Sequence, residues 1–198
     1  MPRKSARVVH DSCRMSGETA PSLRVAAVVL AAGEALRFGA PKQRLLLPRV
    51  LRRLARAGIR VVVVVAGAYP LDAGSAHVVT ATDWERGPGA SLRAGLAALG
   101  PDVDAAVVVL ADGPDLAPAS VTRVVEAWRA GGGEVVAASY GGVRGHPLVL
   151  GRDAWGDVPD EGLRGTGVRL VPCDDLGAPG DVDTPEDLLA LGLGADEE

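Results

Sequence analysis

Two kinds of patterning alternate along this chain. Apolar segments of strand length cover residues 25–32, 59–66 and 105–111, as expected of strands buried on both faces. Weaker strand signals lie at 77–81, 134–139, 147–150 and 169–173. Between them fall helical patterns. Leu47, Val50, Leu51 and Leu54 recur at helical spacing, Arg49, Arg52, Arg53 and Arg56 take the other side, and Gly58 follows. Residues 91–99 read as a helix that stops at Gly100, and 118–130 as one with Val121, Val124, Val125 and Trp128 on one face. Thr184 is placed to cap a last helix, with Pro185 at its first position and Asp187 at its third. Buried strands alternating with amphipathic helices predict an α/β fold with a mostly parallel sheet. Such sheets bind ligands beyond the C-terminal ends of their strands.

Composition narrows the picture. The chain has 198 residues, 47% hydrophobic and 23% charged, which fits a soluble globular protein with one main domain. Residues 1–24 are polar, basic and without periodicity. They read as a disordered extension without the apolar core of a secretory signal. Residues 25–192 read as a single domain and 193–198 as a short acidic tail. The net charge of −4 argues against a nucleic-acid binder. Cys13 and Cys173 do not make a disulfide framework or a cysteine-rich metal site, and a reducing, cytoplasmic setting fits them. No apolar run approaches the ~20 residues that span a membrane.

The candidate chemistry lies at strand ends. After the first strand comes Leu30-Ala31-Ala32-Gly33, then Arg37 and Lys42. Small residues let backbone N–H groups approach a ligand, and two cations suit a triphosphate. There is no Gly-Lys-Ser/Thr and no G-x-G-x-x-G, so neither a Walker loop nor a dinucleotide fingerprint is present. Of 21 basic residues only Lys4 and Lys42 are lysines, so Lys42 stands out within the body of the chain. A compact ammonium suits a point contact to phosphate. Asp112 ends an apolar strand, and Asp181 and Asp183 form a second acidic turn before the last helix. Two carboxylates from separate turns, with phosphate oxygens and water, suit Mg²⁺. Taken singly, the loop also reads as an ordinary strand-to-helix turn, and the aspartates as turn or capping residues.

Together these segments resemble the MobA-like nucleotidyltransferases, the family of molybdenum-cofactor guanylyl- and cytidylyltransferases. The likeness rests on Leu30 to Gly33, Arg37-Phe38-Gly39, Pro41-Lys42 and Ala111-Asp112-x-Pro114. It continues through Asp83-Trp84-x-x-Gly87, Ser91 to Leu96, Gly145-His146-Pro147, Asp160-Glu161-Gly162-x-Arg164 and Asp181 to Leu188. The resemblance covers residues 25 to 190 in order. It implies a doubly wound, Rossmann-like fold with helices on both faces of the sheet, and transfer of a nucleotidyl group from an NTP to a phosphate-bearing acceptor. Leu30, Ala31, Ala32 and Gly33 would line base and ribose, and Asp83 and Ser91 would help bind the nucleotide. Arg37 and Lys42 would hold the triphosphate, and Asp112 and Asp183 would coordinate Mg²⁺. Ala32 favours CTP over GTP. His146 would lie near the acceptor, molybdopterin in the best-known members, with a structural histidine as the alternative. A molybdenum hydroxylase is the partner such a protein would serve.

This sequence departs from the family pattern at Ala35, where Gly or Ser is usual, and at Glu34. Leu45-Leu46-Leu47-Pro48 also runs almost directly into the next helix, where the family has a longer turn. Two alternatives follow: the same fold acting on a sugar phosphate or another small phosphate, and a non-catalytic nucleotide- or cofactor-binding chaperone.

Overall fold

The computed structural model describes residues 23–34, 42–131, 133–156, 158–163, 167–180, 182 and 184–190. The expectations for the N-terminal extension up to residue 22, for the tail at 193–198, for Ala35, Arg37, Phe38, Gly39 and Pro41, and for Arg164, Asp181 and Asp183 lie outside these residues. In chain order the elements are β1 (Val25–Ala31), α1 (Lys42–Arg56), β2 (Val62–Ala66), β3 (His77–Thr80), α2 (Pro88–Ala97), β4 (Ala105–Leu110), α3 (Pro118–Arg129), β5 (Val135–Tyr140), β6 (Val143–Gly151), β7 (Arg169–Pro172) and α4 (Pro185–Ala190).

The strands form one seven-stranded sheet in the order β3-β2-β1-β4-β6-β5-β7. β6 runs antiparallel to both neighbours, and every other pairing is parallel. From β1 the chain winds outward to β2 and β3, then returns to place β4 on the other side. The order therefore reverses between β1 and β4, where an α/β sheet opens a crevice for ligands. Register sets Leu30 opposite Leu110 and Ala31 opposite Ala66, so β1, β2 and β4 end at one edge.

Strand alternation divides the core into two layers. Ala27, Val29 and Ala31 face one layer with Leu47, Val50 and Leu54 of α1 and Val121 and Val124 of α3. Ala26 and Val28 face the other, with Leu92 and Leu96 of α2. Helices on both faces match the doubly wound expectation. α2 lies close against the sheet because Gly95 has no side chain. A Cβ there would stand 2.5 Å from Val28 Cγ1 and 2.7 Å from Val65 Cγ2. Gly95→Ala is expected to cost about 1–3 kcal/mol by overpacking, more than its gain in helix propensity. A lower urea midpoint at unchanged m-value checks this.

Four boundaries differ from the sequence reading. α1 begins at Lys42 and continues through Pro48, so the Leu45–Pro48 segment is itself helical. Leu46, Leu47, Val50 and Leu54 are fully buried there. At about 1.5–3 kcal/mol each, their burial outweighs the roughly 3 kcal/mol that an internal proline costs. α2 begins at Pro88 rather than residue 91, with Pro88 in the position where its missing N–H loses nothing. β2 begins at Val62: Val61 is half exposed, and Ile59 closes the end of α1 by donating its N–H to Leu54 O at 3.1 Å. β6 begins at Val143 because Gly141 and Gly142, at φ +59° and +76°, make a tight hairpin from β5. His146 thus lies within a strand rather than before one.

Candidate active site

The two acidic turns of the sequence reading adjoin at the sheet edge. Val182 N donates to Asp112 O at 3.2 Å. Lys42 Nζ donates to Val182 O at 2.5 Å and stands 3.1 Å from Asp112 Oδ2. Val182 packs with Leu46 of α1 and Leu188 of α4. α4 is fixed by reciprocal capping, with Thr184 N and Oγ1 donating to Asp187 Oδ2 and Asp187 N to Thr184 Oγ1. Lys42 is thereby held at the first turn of a helix, buried but beside a partly exposed carboxylate.

A cavity of about 430 Å³ opens at this pair. Leu30, Ala31, Ala32 and Gly33 line it from β1 and the turn after it, Lys42 and Asp112 from its charged end, and Ser91 from α2. Seven expected site residues therefore share one cavity. Gln43 adds to it: its Nε2 donates to Gly33 O at 2.8 Å, tying α1 to the small-residue turn. Among the described residues Gln43 Oε1 is buried without a hydrogen-bond partner, an acceptor that costs about 1–3 kcal/mol until a donor reaches it. Ala32 is pressed by its neighbour strand, where Ala68 N donates to Ala32 O at 3.0 Å. A Cβ on Gly67 would come within 2.7 Å of Ala32 Cβ.

The far wall is fixed by charge. Arg93 donates to Val158 O and Asp160 Oδ1, and Arg86 donates to Asp160 Oδ2. Hydrogen bonds from Arg93, then Arg86, hold the Asp160 carboxyl below its ordinary range. This clamp seats the 158–162 turn against Gly87 and Gly89 at the start of α2. Asp83 stands just before, its carboxylate 3.7 Å from Arg86, and Trp84 rather than Asp83 lines the cavity.

His146 lies on the other side of Leu110. Cavities of about 480 and 340 Å³ are both lined by Arg144, Gly145 and His146. The larger shares Leu30, Pro88 and Leu110 with the first cavity, so the two adjoin. Tyr140 OH donates to His146 O at 3.0 Å. Burial, then the Arg144 charge, push the His146 imidazole down to about 4, with Asp112 opposing. His146 is therefore neutral near pH 7 and suits a hydrogen-bonding contact. Its proton affinity is lower folded than unfolded, so its contribution to stability is present above about 6.5 and lost as pH falls toward 4. In a proton NMR titration the His146 ring should titrate near pH 4, and a midpoint near 6.5 would place it in water.

Among the described residues the charged end offers the oxygen donors of the Asp112 carboxylate. That set fits a hard cation such as Mg²⁺ or Mn²⁺, which binds one or two carboxylates and completes its shell with phosphate oxygens and water. Among the described residues no group of three metal-ligating side chains occurs.

A small-residue turn thus stands beside a lysine–aspartate pair at the point where a parallel sheet reverses its winding. The chain belongs to the MobA-like NTP transferase domain family, whose model matches residues 27–172. Rv0371c from Mycobacterium tuberculosis H37Rv is similar at 30% identity and a TM-score of 0.70, over 85% of this chain and 97% of that one. The Rv0371c complex with manganese gives 29% identity and a TM-score of 0.66, over 85% and 97%. CMP:2-keto-3-deoxy-manno-octonic acid synthetase complexed with CTP shares the fold, at 14% identity and a TM-score of 0.67 over 85% and 96%. No curated protein sequence matches this chain. No helix among the described residues is long and apolar enough to cross a membrane.

Gln43, Tyr140 and Arg144 carried no expectation in the sequence, and Trp84 entered only as part of the Asp83-Trp84-x-x-Gly87 motif. Gly141-Gly142 between two apolar runs was the available signal for the hairpin that delivers Tyr140 and Arg144. For Gln43 no signal existed, because its role depends on a carbonyl ten residues away.

Proposed function

We propose that the protein is a Mg²⁺-dependent cytidylyltransferase that uses CTP to convert a molybdopterin-type cofactor to its cytosine dinucleotide. The observation that carries this reading is Lys42 held 3.1 Å from Asp112 at the mouth of a cavity lined by Leu30 to Gly33. An oxygen of the acceptor's terminal phosphate attacks the α-phosphorus of CTP in line. The bond from that phosphorus to the α–β bridging oxygen breaks, and pyrophosphate leaves with the electron pair. The attacking phosphate is already ionised near pH 7, so no general base is needed, in keeping with a neutral His146.

Lys42 and Arg37 would hold the triphosphate and offset charge developing on its oxygens. Ser91 would contact the nucleotide, with Asp83 acting through the wall beside it. Asp112 and Asp183 would hold the metal, which would withdraw charge from the phosphate oxygens. CTP is favoured over GTP by the resemblance of the Ala31-Ala32-Gly33 turn to the cytidylyl branch of the family. The CTP held by a protein of the same fold is consistent with this choice. The acceptor would lie toward His146, in the cavity adjoining the first.

A panel of CTP, GTP, ATP and UTP with Mg²⁺, scored by melting temperature and then by pyrophosphate release with added molybdopterin, tests the reading. CTP at about a hundred times its Kd should add about 2.7 kcal/mol of stability. If none of the four binds at millimolar levels, the reading fails. Release with a sugar phosphate but not molybdopterin would move the acceptor class. Binding of cofactor without release would indicate the chaperone.

A further inference from the structure

Among the described residues Arg144 has no counter-ion. Several other described arginines are ion-paired: Arg86 and Arg93 share Asp160, Arg49 and Arg53 share Asp115, and Arg123 pairs with Asp175. With the described residues Arg144 makes one hydrogen bond, from its guanidinium to Leu163 O, and no ion pair. It is half-buried at the start of β6, and burial alone pulls its proton affinity down while leaving it cationic. Taking an unpaired guanidinium out of water is costly, and the cost is recovered when an anion reaches it. Four of its five N–H donors remain for that anion.

Its surroundings define the rest of the ligand. Arg144 lines the cavity of about 480 Å³ together with Leu92, Val108, Leu148 and Leu163. Glu161 also lines it, but is exposed and makes no ion pair with Arg144. One forked cation on a mostly apolar wall, with the neutral His146 ring beside it, suits a molecule with a compact anionic end and a ring-shaped body. The cavity adjoins the one holding Lys42 and Asp112 at Leu30, Pro88 and Leu110. An anion at Arg144 therefore sits next to the space where the transferred phosphorus would lie.

We infer that Arg144 is the phosphate-binding residue for the acceptor: it receives the phosphate of a phosphomonoester whose ring-shaped body fills the cavity of about 480 Å³. The assignment of that phosphomonoester as the acceptor rests on the transferase reading above. The phosphate site itself rests on the Arg144 geometry. The guanidinium orients the attacking phosphate oxygen and lowers the repulsion between two phosphates brought together.

Phenyl phosphate is the probe, followed by the ring proton signals of His146, which lies two residues along the same strand. The native protein should show saturable shifts, and Arg144→Gln should weaken binding by roughly tenfold or more. Arg144→Lys should recover part of the affinity, because it restores the charge without the fork. Lys42→Met should bind the probe as the native protein does. In turnover, Arg144→Gln should raise the acceptor KM by roughly tenfold or more, with the KM for CTP and the CTP-induced rise in melting temperature unchanged. An unchanged CTP response also certifies the fold of the variant. Equal phenyl phosphate affinity in Arg144→Gln overturns the inference. So does loss of the probe in Lys42→Met alone, which would place the phosphate in the triphosphate site. If no nucleotide binds the native protein while phenyl phosphate still binds through Arg144, the phosphate site stands and the transferase reading falls.

Discussion

Asp112→Asn should reduce transfer on the order of a thousandfold while leaving the fold intact. The carboxylate lies two residues beyond the end of β4, at the strand-order reversal, and faces Lys42 at 3.1 Å. It is the described side chain best suited to hold a divalent cation against phosphate oxygens. Asparagine keeps the shape and one acceptor oxygen but removes the charge. Lys42 retains Val182 O, so the helix start and the 182 turn stay joined. Pyrophosphate release and far-UV circular dichroism measure the two halves of the expectation. A variant that turns over like the native enzyme would remove Asp112 from the chemistry.

The second large effect concerns the chain's unusual cation. Lys42→Arg should lower kcat/KM about a hundredfold, although the charge is conserved. The Lys42 side chain is 8% exposed and reaches Val182 O at 2.5 Å from the first position of α1. A guanidinium is wider and planar, so it cannot occupy that channel and keep the same distance to Asp112. It would displace the 182 turn or withdraw from the phosphates. Nucleotide binding should weaken along with turnover, because the same ammonium serves both. Unchanged kinetics would make the lone body lysine an accident of an arginine-rich composition.

Both effects also explain how an acidic protein, with net charge −4, can serve a triphosphate. The charge is local. Arg86, Arg93 and Arg123 are spent on their own aspartates, while the candidate cavity collects one buried ammonium and space for a metal. Whole-chain charge excludes a polyanion surface and says little about a single site.

Strand and helix content was legible in the chain because it is local. Val25 to Ala31 is apolar on both faces, so it could only be an interior strand, and Thr184, Pro185 and Asp187 carry a capping pattern that the structure reproduces. The small-residue turn and Asp112 could be placed at strand ends for the same reason. The extent of α1 was not legible, because Pro48 argues locally for a stop and only the burial of Leu46, Leu47, Val50 and Leu54 overrules it. Among the described residues, the pairing of Lys42 with Asp112, the unfilled oxygen of Gln43 and the unpaired charge of Arg144 also belong to tertiary structure alone. Each depends on strands and turns far apart in sequence meeting at one sheet edge. Residue types and spacing determined which groups could do chemistry. The winding reversal between β1 and β4, set by long-range sheet pairing, decided which of them meet.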